Sequence, residues 1–276
     1  MKQIVFTDLD GTLLDSVTYS YEKSLAGIKQ LKQNGIPIIF CSAKTRAEQE
    51  VYRRKLEVFH PFIVENGGAV FIPQDYFSFS FEHHKVVDSL LVIELGSPYK
   101  EIRQSLINIR KKGDFHFRGF GDMSAEEVAR DSGLDIESAR LAKQREYDET
   151  VKFDVAREVD KALAKIEQAG LNWAHGGRFY NVMGNSDKGK AVAIVSDFYR
   201  KLCDEMETIG LGDSDNDLPM LSMVDIPILV QKAEHTWENI DLPRLRKVQG
   251  VGPEGWSRAI EEIVTGTAGN SQDSWG

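Results

Sequence analysis

A chain of 276 residues, 41% apolar and 28% charged, is longer than a typical small domain and can bury two sizeable cores. Its net charge of -9 argues against a general nucleic-acid or anionic-membrane binder, so an anionic substrate has to be drawn by a local basic site. No window approaches the roughly 18 consecutive apolar residues of a membrane span, and Cys41 and Cys203 cannot form a disulfide framework. The N-terminus enters an apolar run at Ile4-Val5-Phe6 without the h-region of a signal peptide, so the expected setting is the reducing cytoplasm.

Apolar runs alternate with helix-period segments from the start, which predicts an α/β fold with an open, Rossmann-like parallel sheet. A strand over 3–7 stops at Asp8-Leu9-Asp10-Gly11, and a helix over 21–32 is closed by Asn34-Gly35. A buried strand at 38–40 ends at Cys41-Ser42, and a helix is predicted over 45–58. Strands at 62–64 and 69–72 flank Asn66-Gly67-Gly68, a hairpin-type turn. The pattern then changes: a strand over 86–95, Ser97 as N-cap and Pro98 as N1 of a helix over 99–111, and a capping box at Ser124-x-x-Glu127. Asp135 caps a helix to about residue 145, followed by a strand at 147–153, a helix at 159–168 stopped by Gly170, and two strands within 173–182 around Gly176-Gly177. The first pattern resumes with a helix over 187–201, a strand at 207–211, a short helix at 218–223, a strand at 226–230 and a helix at 256–264. The expected organisation is a core of 1–82 and 186–276, with an inserted α+β domain at 83–185. The small polar stretch 265–276 reads as a mobile tail.

In an open parallel sheet the reactive groups gather beyond the carboxyl ends of the strands. Three predicted strands end at Asp8-x-Asp10, Ser42-x-Lys44 and Asp213-Ser214-Asp215-Asn216-Asp217. Folding would crowd Asp8, Asp10, Asp213 and Asp217, whose charges need a hard cation with oxygen ligands, and Mg²⁺ suits such a site beside a phosphate. Ser42 and Lys188 would add a hydroxyl donor and a cation on the phosphate side. Such a set suffices for phosphoryl transfer through a carboxylate nucleophile, with a second carboxylate as acid and base. Singly these pieces are bland: Asp-x-Asp-Gly-Thr also suits a calcium loop or a turn, Asp213–Asp217 a capped helix start, Ser42 an N-cap, and Lys188 a solvated helix residue. Four of them in order, each at a strand end or helix start, are hard to explain as structure alone.

Asp8-Leu9-Asp10-Gly11-Thr12, Ser42, Lys188 in Asp187-Lys188-Gly189-Lys190-Ala191, and Gly212-Asp213-x-x-Asn216-Asp217 together resemble the four motifs of the haloacid-dehalogenase-like phosphatases. The resemblance implies Asp8 as nucleophile, Asp10 as acid/base, and Ser42 and Lys188 as phosphate holders. It also implies Mg²⁺ bound by Asp8, Asp213 and the Asp10 carbonyl, with Asp217 orienting that shell. Ser42 stands where many relatives carry Thr, and either hydroxyl can donate. The insertion sits where a large α/β cap is expected. Ser42-Ala43-Lys44-Thr45-Arg46, the run from Pro61 to Gly68, Arg145-Glu146-Tyr147-Asp148-Glu149 and the run from His175 to Tyr180 are similar to the mannosyl-3-phosphoglycerate phosphatases. That subfamily implies a small phosphorylated sugar-acid substrate; the net charge and the lack of a long apolar window argue against nucleic-acid and membrane partners, and no obligate protein partner is expected.

Such a substrate carries a carboxylate beside its phosphate, which makes Lys44, Arg46, Arg145 and Arg178 candidate substrate ligands. Arg46 is as well suited to a solvated helix face, and Arg145 to an ion pair with Asp148 or Glu149. His175 fits a turn better than acid/base duty. Nothing in the residues separates a mannosyl from a glucosyl phosphoglycerate, and a hexose phosphate is a further alternative substrate. A phospho-accepting signalling module would share the early acids, the hydroxyl and the lysine, but Asp10 would defeat long-lived phosphorylation there. A non-catalytic sugar-phosphate binder would not need every one of these residues.

Overall fold

The computed structural model describes residues 2–176, 178–203 and 205–266. Gly177 of the predicted glycine turn and residues 267–276 of the predicted tail lie outside the described residues. The chain forms two compact units, Met1–Phe40 with Ser196–Gly276, and Cys41–Val195. The inserted domain expected at 83–185 thus shares its unit with 41–82 and 186–195. The fold is α/β, a Rossmann-like core with an inserted α+β cap domain.

The first unit carries parallel strands in the order Arg246–Val251, Ile226–Gln231, Met206–Gly212, Lys2–Thr7, Ile38–Cys41. Strand Lys2–Thr7 lies between Met206–Gly212 and Ile38–Cys41, and Ile4, Val5 and Phe6 are fully buried, as a two-sided parallel strand requires. Helices Leu25–Gln33 and Pro253–Thr265 pack together at Gly27, where a β-carbon would come within 2.7 Å of the Trp256 ring. Trp256 is fully buried and donates through Nε1 to Thr7 Oγ1 (2.9 Å), which donates to the Asp8 carbonyl (2.7 Å). Helix Pro253–Thr265 therefore helps fix the backbone at the end of the first strand.

In the second unit, strands Phe62–Val64, Ala69–Pro73, Leu90–Glu94 and Lys85–Val87 form an antiparallel run, and Phe117–Gly119, Asp148–Phe153, Phe179–Met183 and Asn172–Gly176 form a separate antiparallel sheet. One face of that sheet packs Val151 and Val182 against Ile102, Leu106, Leu163 and Ile166 of helices Tyr99–Gly113 and Val159–Gln168. The capping box at Ser124 and Glu127 and the Asp135 cap form as the sequence predicts.

Four local expectations need correction. The strand predicted over 86–95 is a hairpin, because Asp88 and Ser89 take left-handed turn geometry (φ 48° and 64°). Pro98, not Ser97, precedes the first helical residue, Tyr99. The strand Arg246–Val251 is unannounced in the sequence because only Val248 in it is buried. Finally, helix Ile136–Ala142 ends before the predicted residue 145, which leaves Arg145 in the turn that enters strand Asp148–Phe153.

Candidate active site

In the first unit, Asp8 follows strand Lys2–Thr7 and its N–H donates to the Leu211 carbonyl (2.9 Å), tying it to the neighbouring strand's end. The chain then turns back through Leu14 N–H to Leu9 carbonyl (2.7 Å) and Gly11 N–H to Leu14 carbonyl (2.9 Å). Gly11 has φ +80°, and a β-carbon there would lie 2.7 Å from Asp213 Oδ2, so both backbone shape and space require glycine. Asp213 ends strand Met206–Gly212, and Asp217 stands one short turn later. Asp217 Oδ2 accepts from the N–H groups of Asp213 (3.0 Å) and Ser214 (3.3 Å). Asp213 Oδ1 accepts from Thr12 Oγ1 (3.1 Å).

Asp8, Asp213 and Asp217 are all buried, and each offers a carboxylate oxygen within 4.8 Å of the others. Burial, then the charges of Asp217 and Asp8, push the Asp213 carboxyl well above the usual carboxylate range, against the pull of Thr12 and Lys232. Ionising all three costs free energy that a hard divalent cation with oxygen ligands removes, so the donor set fits such an ion. Asp10, the fourth acid expected there, is half-buried and is not one of the three carboxylates that converge. Lys232, at the end of strand Ile226–Gln231, is a cation of this region that sequence patterns did not single out. Its pKa is raised: burial lowers it, and Glu238, Asp213 and Asp215 outweigh that. Its position at a strand's carboxyl end was the available signal.

In the second unit, Ser42 to Thr45 form a tight loop between strand Ile38–Cys41 and helix Arg46–Leu56. Ser42 is not the N-cap of that helix; Thr45 is, in a capping box with Glu48. Ser42 Oγ instead accepts from the Lys44 N–H (3.3 Å), and the Ala43 N–H has no hydrogen-bond partner among the described residues. Lys188 is buried at the start of helix Lys188–Arg200, not solvated. Gly67 lets the 65–68 turn approach the Asp187–Lys188 backbone: its φ is +88°, and a β-carbon would collide with the Asp187 carbonyl.

The candidate substrate cations divide by what already engages them. Arg145 is buried, with Nε and Nη2 on Asp148 Oδ1 (2.5 Å each), Nη1 on the Ala142 carbonyl (3.3 Å) and Nη2 on the Ala43 carbonyl (2.7 Å). Burial works to lower its pKa, and Asp148 and Glu65 outweigh that. Of the two ion pairs the sequence left open, it makes the one with Asp148. Arg46 faces Glu50 (2.9 Å), Asp88 (3.2 Å) and Glu146 (3.3 Å). Lys44 is buried, 3.5 Å from Glu48. Arg178 is exposed, donates to the Ser132 carbonyl (2.7 Å) and has no ion pair with a described carboxylate. His175 lies in strand Asn172–Gly176, not in the expected turn, because it pairs with Tyr180 of the neighbouring strand and stacks on its ring at 4.5 Å. Glu65 went unnoticed in the sequence although fully buried: it accepts from the backbone N–H groups of Glu146, Tyr147 and Asp148 (2.7–3.0 Å).

A family model of haloacid dehalogenase-like hydrolases matches residues 5–240. The chain belongs to that family. A glucosyl-3-phosphoglycerate/mannosyl-3-phosphoglycerate phosphatase of Methanococcoides burtonii is 50% identical over 96% of this chain and 98% of its own length. A protein of the same description from Persephonella marina is 38% identical over 95% and 97%, and a mannosyl-3-phosphoglycerate phosphatase of Pyrococcus horikoshii 40% over 85% and 93%. The chain is thus a phosphoric monoester hydrolase of the haloacid dehalogenase-like family, in its mannosyl-3-phosphoglycerate phosphatase-like branch. A solved Thermoplasma acidophilum structure shares the fold with a TM-score of 0.67 at 18% identity, over 95% of this chain and 98% of its own. A Thermotoga maritima structure shares it with a TM-score of 0.60 at 19% identity, over 95% and 98%. Among the described residues no helix is long and apolar enough to cross a membrane.

Proposed function

We propose that this hydrolase is a magnesium-dependent phosphatase of a glycosyl-3-phosphoglycerate, with mannosyl-3-phosphoglycerate the first candidate and the glucosyl compound the second. The observation that carries the reaction is the buried group of Asp8, Asp213 and Asp217 at the strand ends. The substrate class rests on relatives that share 38–50% of residues over nearly the whole chain.

In this reading an Asp8 carboxylate oxygen attacks phosphorus, the ester P–O bond breaks, and Asp10 gives its proton to the leaving alkoxide. Water then attacks the aspartyl phosphate and passes a proton to Asp10, which releases inorganic phosphate and restores Asp8. Ser42 and Lys188 hold the phosphoryl oxygens. Mg²⁺, held by Asp8, Asp213 and the Asp10 carbonyl with Asp217 supporting them, would supply charge neutralisation of the phosphoryl group. Arg178 is the arginine we assign to the substrate carboxylate, since Arg46 and Arg145 face carboxylates of the protein itself.

Phosphate release with Mg²⁺ over mannosyl- and glucosyl-3-phosphoglycerate, hexose phosphates and p-nitrophenyl phosphate tests the reading. The expected result is sustained turnover with the highest kcat/KM on a glycosyl-phosphoglycerate. A hexose phosphate turned over faster than either would replace the substrate class, and a single stoichiometric phosphorylation without turnover would replace the phosphatase.

A further inference from the structure

Every backbone carbonyl of the Ser42–Lys44 loop is held from behind. The Ser42 carbonyl accepts from the Asn66 N–H (3.1 Å), and the Lys44 carbonyl from the Glu65 N–H (3.1 Å) and Gln49 Nε2 (3.3 Å). The Ala43 carbonyl accepts from Arg145 Nη2 (2.7 Å), a side chain about a hundred residues away in sequence. A peptide group is planar and trans, so fixing its carbonyl fixes the direction of its N–H, which points the opposite way. The peptide held by Arg145 is the one whose N–H is Lys44 N, and that N–H donates to Ser42 Oγ (3.3 Å). Likewise, Asn66 on the Ser42 carbonyl aims the Ala43 N–H away from itself.

The Arg145 guanidinium is itself over-determined. Asp148 takes two of its nitrogens, and Asp148 Oδ2 also accepts from Asn66 Nδ2 (3.2 Å). The Glu65 carboxylate gathers the N–H groups of residues 146–148, which follow Arg145 directly. Glu65 and Asn66 both take left-handed geometry (φ 47° and 54°), backbone that persists only where its surroundings enforce it. One buried cluster thus grips the loop through both of its inner peptides.

We infer that Arg145, locked by Asp148, is a positioning residue that orients the Ser42 hydroxyl through the Ala43–Lys44 peptide, rather than a ligand of the substrate. The inference rests on the proposed role of Ser42 as a phosphate donor. A ligand would affect only substrates that reach it, whereas a residue acting through Ser42 affects every phosphate ester.

The test is a double-mutant cycle between Arg145→Met and Ser42→Ala, read as kcat/KM on mannosyl-3-phosphoglycerate and on p-nitrophenyl phosphate, with inhibition by inorganic vanadate as a probe of phosphate binding. Arg145→Met should lower kcat/KM on both esters by roughly a hundredfold, the scale of an ångström-level misplacement, and weaken vanadate inhibition in parallel. In the Ser42→Ala background the same change should cost less than about threefold, because the group it acts through is gone. Should Arg145→Met fold poorly, Arg145→Met with Asp148→Leu removes the pair as a whole, which restores stability without restoring the loop. A loss confined to the glycosyl substrate would make Arg145 a ligand and overturn the inference. So would a full loss repeated in the Ser42→Ala background, or a lowered Tm with normal kcat/KM. Full activity of Ser42→Ala would remove the role of Ser42, and the inference with it; an impaired Ser42→Ala with additive Arg145 loss removes the inference alone.

Discussion

Two buried groups of charges in this molecule are built on opposite principles. At the strand ends of the first unit Asp8, Asp213 and Asp217 converge on one another, and the Asp213 carboxyl is driven up by its burial and by their charges. In the second unit Asp148 is fully buried too, but it faces the Arg145 guanidinium, and Glu65 faces three backbone amides. Gathering like charges in a dry place raises the free energy of the fold, so the first group is explained by what it binds. The second is paired from within, Asp148 with Arg145 and Glu65 with backbone amides, although burial and then the charge of Asp148 still push the Glu65 carboxyl up to about 8; its contribution is geometry. Both groups sit in motifs, which is why motif membership alone does not separate a ligand from a positioning residue.

The sharpest way to break the comparison is at Asp8. Asp8→Asn should reduce turnover by at least about four orders of magnitude, since it removes the nucleophile, while lowering the crowding around Asp213. We therefore expect it to leave the Tm unchanged or raise it. Multiple-turnover phosphate release from this variant, freed of contaminating phosphatase, would remove Asp8 from the mechanism.

Removal of the cation tests the same group without a mutation. EDTA should abolish activity and Mg²⁺ restore it, with Ca²⁺ a poor substitute because of its looser, higher coordination. Independently of activity, saturating Mg²⁺ should stabilise the fold by about 2–3 kcal/mol at a hundredfold excess over its Kd, seen as a higher Tm. Asp213→Asn should erase that rise. A Tm indifferent to Mg²⁺ in the unmutated protein would contradict a cation held by these carboxylates.

Arg178 carries the comparison to the substrate's charges. It is exposed and, among the described residues, holds only a carbonyl, so its guanidinium can take a carboxylate at no cost to an ion pair with any of them. Arg178→Ala should cost roughly 2–4 kcal/mol in kcat/KM on a glycosyl-3-phosphoglycerate, about 30- to 900-fold, and leave p-nitrophenyl phosphate nearly untouched. Equal losses on both, with a lower Tm, would reduce Arg178 to a brace for the carbonyl of Ser132.

These contrasts also mark where the sequence stopped being readable. The α/β order and the acids at strand ends were legible because both follow from local periodicity and from a positional rule of parallel sheets. Asp213 and Asp217 lie four residues apart, and Asp8 precedes them by about two hundred, yet Asp8 is placed by the end of strand Lys2–Thr7, and Asp213 and Asp217 by the end of strand Met206–Gly212 and the short turn after it. The partner of Arg145 could be narrowed to two neighbours, and the structure decides for Asp148 because helix Ile136–Ala142 stops early and turns the side chain inward. Its bond to the Ala43 carbonyl has no trace in either local segment. Glu65 was equally silent: nothing near it in sequence says that its acceptors are aimed at residues 146–148. Long-range pairings between a side chain and a backbone group leave no periodic signature.

The smallest expected effect belongs to a balanced cluster whose members carry no role in the proposed chemistry. Asp122 accepts from Arg103 (3.1 and 2.5 Å), Arg110 (2.8 Å) and the Gly119 N–H (3.0 Å). Burial alone would raise its pKa; Arg103, the Gly119 amide and Arg110 outweigh it and hold the carboxyl well below its ordinary value near 3.8. A carboxyl depressed in the folded state stabilises the fold above its unfolded pKa and loses that contribution as pH falls toward the folded value. Asp122→Asn should therefore lower the Tm by about 2–4 °C at pH 7, the shift expected of about 1 kcal/mol in a chain of this size. The gap between variant and parent should close as the pH drops from 4 toward 2, with kcat/KM at pH 7 unchanged throughout. A gap of constant size across that range would mean that shape, not charge, joins Asp122 to its arginines, and a fall in kcat/KM would show that this cluster also bears on the chemistry.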